Sequence, residues 1–161
     1  MSLPAPTILL VEDNDDDAFI TRRAFSTAKA DLAIERADDG QAAIDYLSGT
    51  GRYADRERHP FPDLVLLDLK LPLKNGLEVL RWIRQHETLS PLVVLILTSS
   101  SERADVEEAY RLHVNAYIVK PTSINTMVEI VGHIENFWLN ASNVLRPSFL
   151  SPIILAAGKL T

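Results

Sequence analysis

Four short runs, each almost uninterrupted in apolar residues, place the tightest limit on the fold: Thr7–Val11 (TILLV), 63–67 (DLVLL), 92–97 (LVVLIL) and Ala116–Val119 (AYIV). Runs of this kind suit strands covered on both faces, because a strand with one wet face alternates apolar and polar residues. A fifth run, 32–36 (LAIER), is less apolar and suits a sheet edge. Helical patterns fill the gaps at 15–28, 41–47, 77–86, 102–112 and 124–139. In the third of them Leu77, Leu80, Ile83 and Arg84 keep helical spacing, with Val79 and Trp82 beside them. Strand and helix alternate five times, which predicts an α/β fold: a doubly wound parallel sheet of five strands with helices on both faces.

Composition narrows what such a fold can do. At 161 residues and 47% hydrophobic, the chain suits one well-buried domain. A formal net charge of −6 argues against a nucleic-acid footprint. With no cysteines, a disulfide framework and a thiolate metal site are both excluded. The start, MSLPAPT, lacks the basic and apolar segments of a signal peptide, and no apolar run reaches the ~18 residues of a membrane span. The expected location is cytoplasmic, with neither nucleic acid nor membrane as a partner.

Residues 1–6 are read as an N-terminal extension, 7–140 as the domain, and 141–161 as an apolar C-terminal tail broken by Pro147 and Pro152. One connection is long: 48–62 (SGTGRYADRERHPFP) is rich in Gly, Pro and charge. It reads as an exposed loop, a tolerated surface insertion in preference to a partner-binding element.

Five carboxylates occupy the six positions 12–17 (EDNDDD), directly after the first strand. In an open parallel sheet the binding crevice lies at the carboxyl ends of the strands. Glu12 and Asp13 end the first strand, Asp68 the third, Thr98 the fourth and Lys120 the fifth, each after an apolar run. One rim therefore collects three carboxylates, a hydroxyl and an amine. Hard oxygen ligands so grouped suit Mg²⁺. Asp15, Asp16 and Asp17 are read differently, as first-turn acids that complement the helix dipole, worth roughly 0.3–1 kcal/mol each.

Taken in order, VEDN at 11–14, Asp68 followed by LPLKNG at 71–76, Thr98-Ser99, and Tyr117 with Lys120-Pro121 resemble the receiver domain of two-component response regulators. The resemblance covers about residues 7–140. It implies a flavodoxin-like (βα)5 sheet of strand order 2-1-3-4-5. Asp68 is then the phosphorylation site, attacking the phosphohistidine of a sensor histidine kinase. Asp13 and Asp68 hold Mg²⁺ directly and Glu12 through water, and the backbone carbonyl of Lys70 is a further ligand.

The resemblance also implies that Lys120 pairs with phosphoryl oxygens, aimed by a cis peptide before Pro121. Thr98 donates its hydroxyl to a phosphoryl oxygen, the small Ser99 leaves room for approach, and Tyr117 swings inward as a switch. Gly76 is read as turn chemistry opening the third helix. EDNDDD, the 48–62 loop, and no fused output domain look most like single-domain regulators paired with bacteriophytochrome-type sensor kinases. The expected partners are that kinase and a downstream protein. A homodimer through the face of the fourth strand, fourth helix and fifth strand, supported by the tail, is also expected.

Other readings stand behind this one. An aspartyl-nucleophile phosphatase carries a second Asp two residues after the nucleophile, where this chain has Lys70. A flavin mononucleotide carrier needs a Ser/Thr/Gly-rich phosphate loop after the first strand, and EDNDDD repels phosphate. An interaction-only receiver is disfavoured because all five site positions are intact.

Overall fold

A computed structural model of the chain describes residues 4–140. Five strands, β1 (Thr7–Val11), β2 (Ala33–Ala37), β3 (Leu64–Leu67), β4 (Val93–Thr98) and β5 (Ala116–Val119), alternate with five helices. The helices are α1 (Asp15–Thr27), α2 (Gly40–Ser48), α3 (Gly76–Gln85), α4 (Arg103–Arg111) and α5 (Ile124–Ile134), the last running into a π-helical turn, Glu135–Leu139. The sheet is wholly parallel in the order β2-β1-β3-β4-β5, as expected. Boundaries differ from the expected ones by a residue or so, and Thr98 closes β4 instead of following it. The tail at 141–161 lies outside the described residues.

Successive strand residues face opposite sides of a sheet, so each strand feeds two cores. Leu9, Val11, Val65, Leu67, Val94 and Ile96 pack on one side with Ala43 and Leu47 of α2, Val79, Leu80 and Ile83 of α3 and Ala109 of α4. Ile8, Leu10, Leu64, Leu66, Leu95 and Leu97 pack on the other with Phe25 of α1 and Met127, Val131 and Ile134 of α5. Each of the Val, Leu, Ile, Phe and Met side chains removed from water stabilises the fold by about 1.5–3 kcal/mol. α3 buries Val79, Leu80 and Ile83, while Leu77 and Trp82 only lean on the core.

Helix starts are locally encoded. Asn14, Asp39, Asn75 and Ser123 each accept a hydrogen bond from the backbone N–H three residues on, satisfying a donor the helix leaves free. Gly49 ends α2 in the left-handed conformation, φ 66°.

The 48–62 loop is more than an exposed insertion. Tyr53, in a 3-10 turn, and Phe61 are buried in the α2–α3 core. The Tyr46 hydroxyl donates to the Pro60 carbonyl at 2.8 Å. The Arg56 guanidinium lies 5.7 Å from the Tyr46 ring centre and 5.8 Å from that of Phe61, and donates to the carbonyls of Leu47 and His59 at 3.0 and 3.2 Å. Burial lowers its pKa. Composition misleads here because a long charged side chain buries its stem and uses its head to satisfy backbone carbonyls.

Candidate functional site

The sheet's register builds the site. Val11 stands beside both Ala37 and Leu67, Leu67 beside Ile96, and Thr98, two residues further along β4, beside Val119, so all five strands end close to one level. The ladder runs one residue further: the backbone N–H of Glu12 donates to Ala37 at 3.1 Å, that of Asp68 to Val11 at 3.1 Å, and that of Lys120 to Thr98 at 2.7 Å. The residues that leave the strands are thereby held to the rim by backbone geometry, before any side-chain contact forms.

Their side chains converge. The Lys120 ammonium donates to Glu12 Oε1 at 2.5 Å, Asp68 Oδ2 at 2.9 Å and Asp17 Oδ2 at 2.9 Å. Glu12 and Asp68 are almost closed to water, with side chains 3% and 9% exposed, and Lys120 shows 12%. Burial raises the Glu12 pKa, against the pull of Lys120, to about 7. At Asp68 burial also pushes upward, but hydrogen bonds from Lys120 and Thr98 carry the carboxyl below its ordinary value. Burial works against the Lys120 charge, yet its carboxylate partners raise its pKa.

Asp68 is therefore held as an anion, which a nucleophile requires. One ammonium does not neutralise the group: Asp13 joins Glu12 and Asp68 with ligand oxygens all within 4.8 Å. Excess carboxylate charge in a half-buried rim, supplied by hard oxygen donors, fits a divalent cation.

The remaining expected residues surround this centre. The Lys70 side chain is exposed, and its N–H donates to Asp68 Oδ1 at 3.3 Å. Thr98 is fully buried, while Ser99 is exposed. Half-buried Tyr117 donates its hydroxyl to the Ser100 carbonyl at 2.8 Å.

Three expectations change. No cis peptide occurs among the described residues, so the Lys120–Pro121 bond is trans, and Lys120 reaches all three carboxylates with that ordinary geometry. Gly76 does not serve a positive-φ turn; a Cβ there would stand 2.2 Å from the Asp68 carbonyl oxygen. Asp17 is not merely a dipole partner: the first turn of α1 aims it at Lys120. Helical periodicity alone could not separate it from its acidic neighbours.

Two residues were not anticipated at all. Arg36 of β2 donates to the carbonyls of Glu12 at 2.9 Å and Asp13 at 3.2 Å and pairs with Asp15 at 2.8 Å. It clamps the acidic loop, and nothing in LAIER announces this. Ser100 links the Thr98 and Tyr117 positions: its N–H meets Thr98 Oγ1 at 3.4 Å, and its hydroxyl donates to Asp105 Oδ2 at 2.6 Å. In the run TSSS it is indistinguishable from its neighbours.

A doubly wound sheet whose carboxyl rim gathers an anionic aspartate, an ammonium and an acid cluster that could hold a cation has the donors a phosphoryl-handling α/β protein needs. Residues 8–132 match the family model of the response regulator receiver domain, and the chain belongs to that family. The response regulator Rcp1 of Synechocystis is 40% identical over 138 residues, spanning 86% of this chain and 92% of that protein. Among solved structures, the phosphorylated cyanobacterial phytochrome response regulator RcpA superposes with TM-score 0.79 at 38% identity, covering 89% of this chain and 99% of that one. The Mn²⁺-bound form of Rcp1 superposes with TM-score 0.77 at 38% identity, over 87% and 99%.

Proposed function

We propose that this response regulator accepts a phosphoryl group on Asp68 from the phosphohistidine of a sensor histidine kinase, and thereby switches a protein-interaction surface. The observation that carries the reading is Asp68, anionic and nearly buried, 2.9 Å from the Lys120 ammonium inside an acid cluster. An Asp68 carboxylate oxygen attacks phosphorus; the new P–O bond forms as the P–N bond breaks, its electron pair leaving on the imidazole nitrogen. Positioning and charge neutralisation supply most of the catalysis in such transfers.

Glu12, Asp13 and Asp68, with the backbone carbonyl of Lys70, would hold Mg²⁺, which supplies the positive charge that lets an anionic nucleophile meet an anionic phosphoryl group. Lys120 carries its ammonium onto a phosphoryl oxygen, and Thr98 donates its hydroxyl to another. Exposed Ser99 leaves the approach open. Tyr117 reads the change: as Thr98 is drawn toward the phosphoryl group, the Ser100 carbonyl that holds the Tyr117 hydroxyl lies within the same loop. Pro121 fixes the chain directly after Lys120. No catalytic turnover of a separate substrate is needed beyond loss of the phosphoryl group to water.

The relatives favour a phytochrome-type kinase as donor, in the cytoplasm. Among the described residues no helix is long and apolar enough to cross a membrane. Tyr110 of α4 and Val119 of β5 are exposed on the α4–β5 face, which supports a second copy or a downstream protein binding there, with the 141–161 tail contributing. Incubation with acetyl phosphate and Mg²⁺ followed by intact mass tests the central step. One acid-labile, hydroxylamine-sensitive phosphoryl group is expected, absent from Asp68→Asn. Uptake by that variant would overturn the assignment.

A further inference from the structure

An ammonium has three N–H donors, and in Lys120 all three end on carboxylates: Glu12, Asp68 and Asp17. The function proposed above uses the first two. Asp17 is different in kind. It comes from the first turn of α1, its side chain is 42% exposed, and its neighbour Asp15 turns away to Arg36. We propose that Asp17 is a positioning residue that competes with the incoming phosphoryl group for the Lys120 ammonium and so slows phosphoryl uptake on Asp68. This inference rests on phosphorylation of Asp68.

When acetyl phosphate reacts, a P–O bond forms on Asp68 while the bond from phosphorus to the acetate oxygen breaks, its electrons leaving with acetate. Lys120 must then serve the phosphoryl oxygens. Glu12 is closed to water, whereas water stands ready to replace Lys120 at Asp17, which makes the Asp17 contact the one that yields. Until it yields, Asp17 holds the ammonium back. Its charge also opposes an arriving phosphoryl dianion, since like charges at this separation disfavour each other. Both effects act in the same direction.

The substitution that isolates them is Asp17→Asn, which keeps shape and an acceptor oxygen but removes the charge. It leaves the helix cap intact, because Asn14 receives the backbone N–H of Asp17 and not its carboxylate. The full chain of each variant is labelled with acetyl phosphate and Mg²⁺, and the rate is followed by intact mass. Asp17→Asn should label about five-fold faster, the size of one half-exposed ion pair. Asp17→Glu should label close to the parent rate, and Asp16→Asn should not change it.

A second readout needs neither phosphodonor nor metal. The ¹⁵N-ammonium signal of Lys120 should exchange with solvent faster in Asp17→Asn, which a purely helix-stabilising role would not cause. A parent protein that takes no label overturns the phosphorylation reading, and this inference with it. Normal parental labelling with an unchanged rate or an unchanged ammonium signal in Asp17→Asn overturns this inference alone.

Discussion

Gly76 sits under the backbone of Asp68: a methyl group at its Cα would lie 2.2 Å from the Asp68 carbonyl oxygen and 2.8 Å from the Cα of Leu69. The Gly76 N–H donates to the Leu69 carbonyl at 2.9 Å, so the start of α3 and the end of β3 are fastened together. Gly76→Ala must move backbone, with no flexible side chain to absorb the strain. It is expected to cost about 1–3 kcal/mol by overpacking. It should also slow acetyl phosphate labelling, because the displaced backbone is that of the acceptor. Urea denaturation with the labelling assay checks both, and a variant unchanged in each would remove Gly76 from the site.

Asp13 and Asp16 make a matched pair for testing the cation site. Asp13 lies in the cluster with Glu12 and Asp68, and Asp16 is an exposed first-turn acid. Asp13→Ala should weaken Mg²⁺ binding roughly tenfold or more, by loss of a direct ligand, and Asp16→Ala should leave it nearly unchanged. Titration calorimetry distinguishes them. Equal losses would mean that the acidic stretch as a whole attracts the ion.

Mg²⁺ should raise the unfolding temperature of the parent protein, and chelation should reverse this. A ligand at a hundred times its dissociation constant stabilises the folded state by about 2.7 kcal/mol. The same addition to Asp13→Ala should shift the midpoint much less, as followed by scanning calorimetry.

Lys120→Ala and Thr98→Ala should still take up some phosphoryl group but lose the conformational response. A ligand shifts an equilibrium only through contacts that differ between the two states, and these side chains are placed to make them. Hydrogen exchange around Tyr117 with and without acetyl phosphate is the measurement. A full response in both variants would place the switch elsewhere.

Arg56→Ala should destabilise the domain by ~2–3 kcal/mol, since two charge-assisted hydrogen bonds to carbonyls vanish along with the packing on Tyr46 and Phe61. Proteolysis within 48–62 should accelerate as that segment loosens. A loop that serves as mere surface insertion would tolerate the change.

The order and type of all ten principal elements were legible because strand and helix periods differ and each run is long enough to show its own. So was most of the rim, since a polar residue directly after an apolar strand lies at its end; Glu12, Asp68 and Lys120 follow from that rule, whereas Thr98 is itself the last residue of β4, and β5, expected to be covered on both faces, is a half-exposed edge strand. What lay beyond it was set by distances between residues far apart in the chain. Asp17 meets Lys120 because α1 leaves β1 at a particular angle, and Arg36 meets the carbonyls of Glu12 and Asp13 because β2 pairs with β1 in one register. Gly76 is required by the nearness of another backbone, not by its own torsions, and Arg56 is buried by aromatic rings supplied from two segments. Periodicity is a local property and survives in the sequence. Contact is a property of packed elements, and only the tertiary structure decides which of several similar acids, serines or arginines makes it.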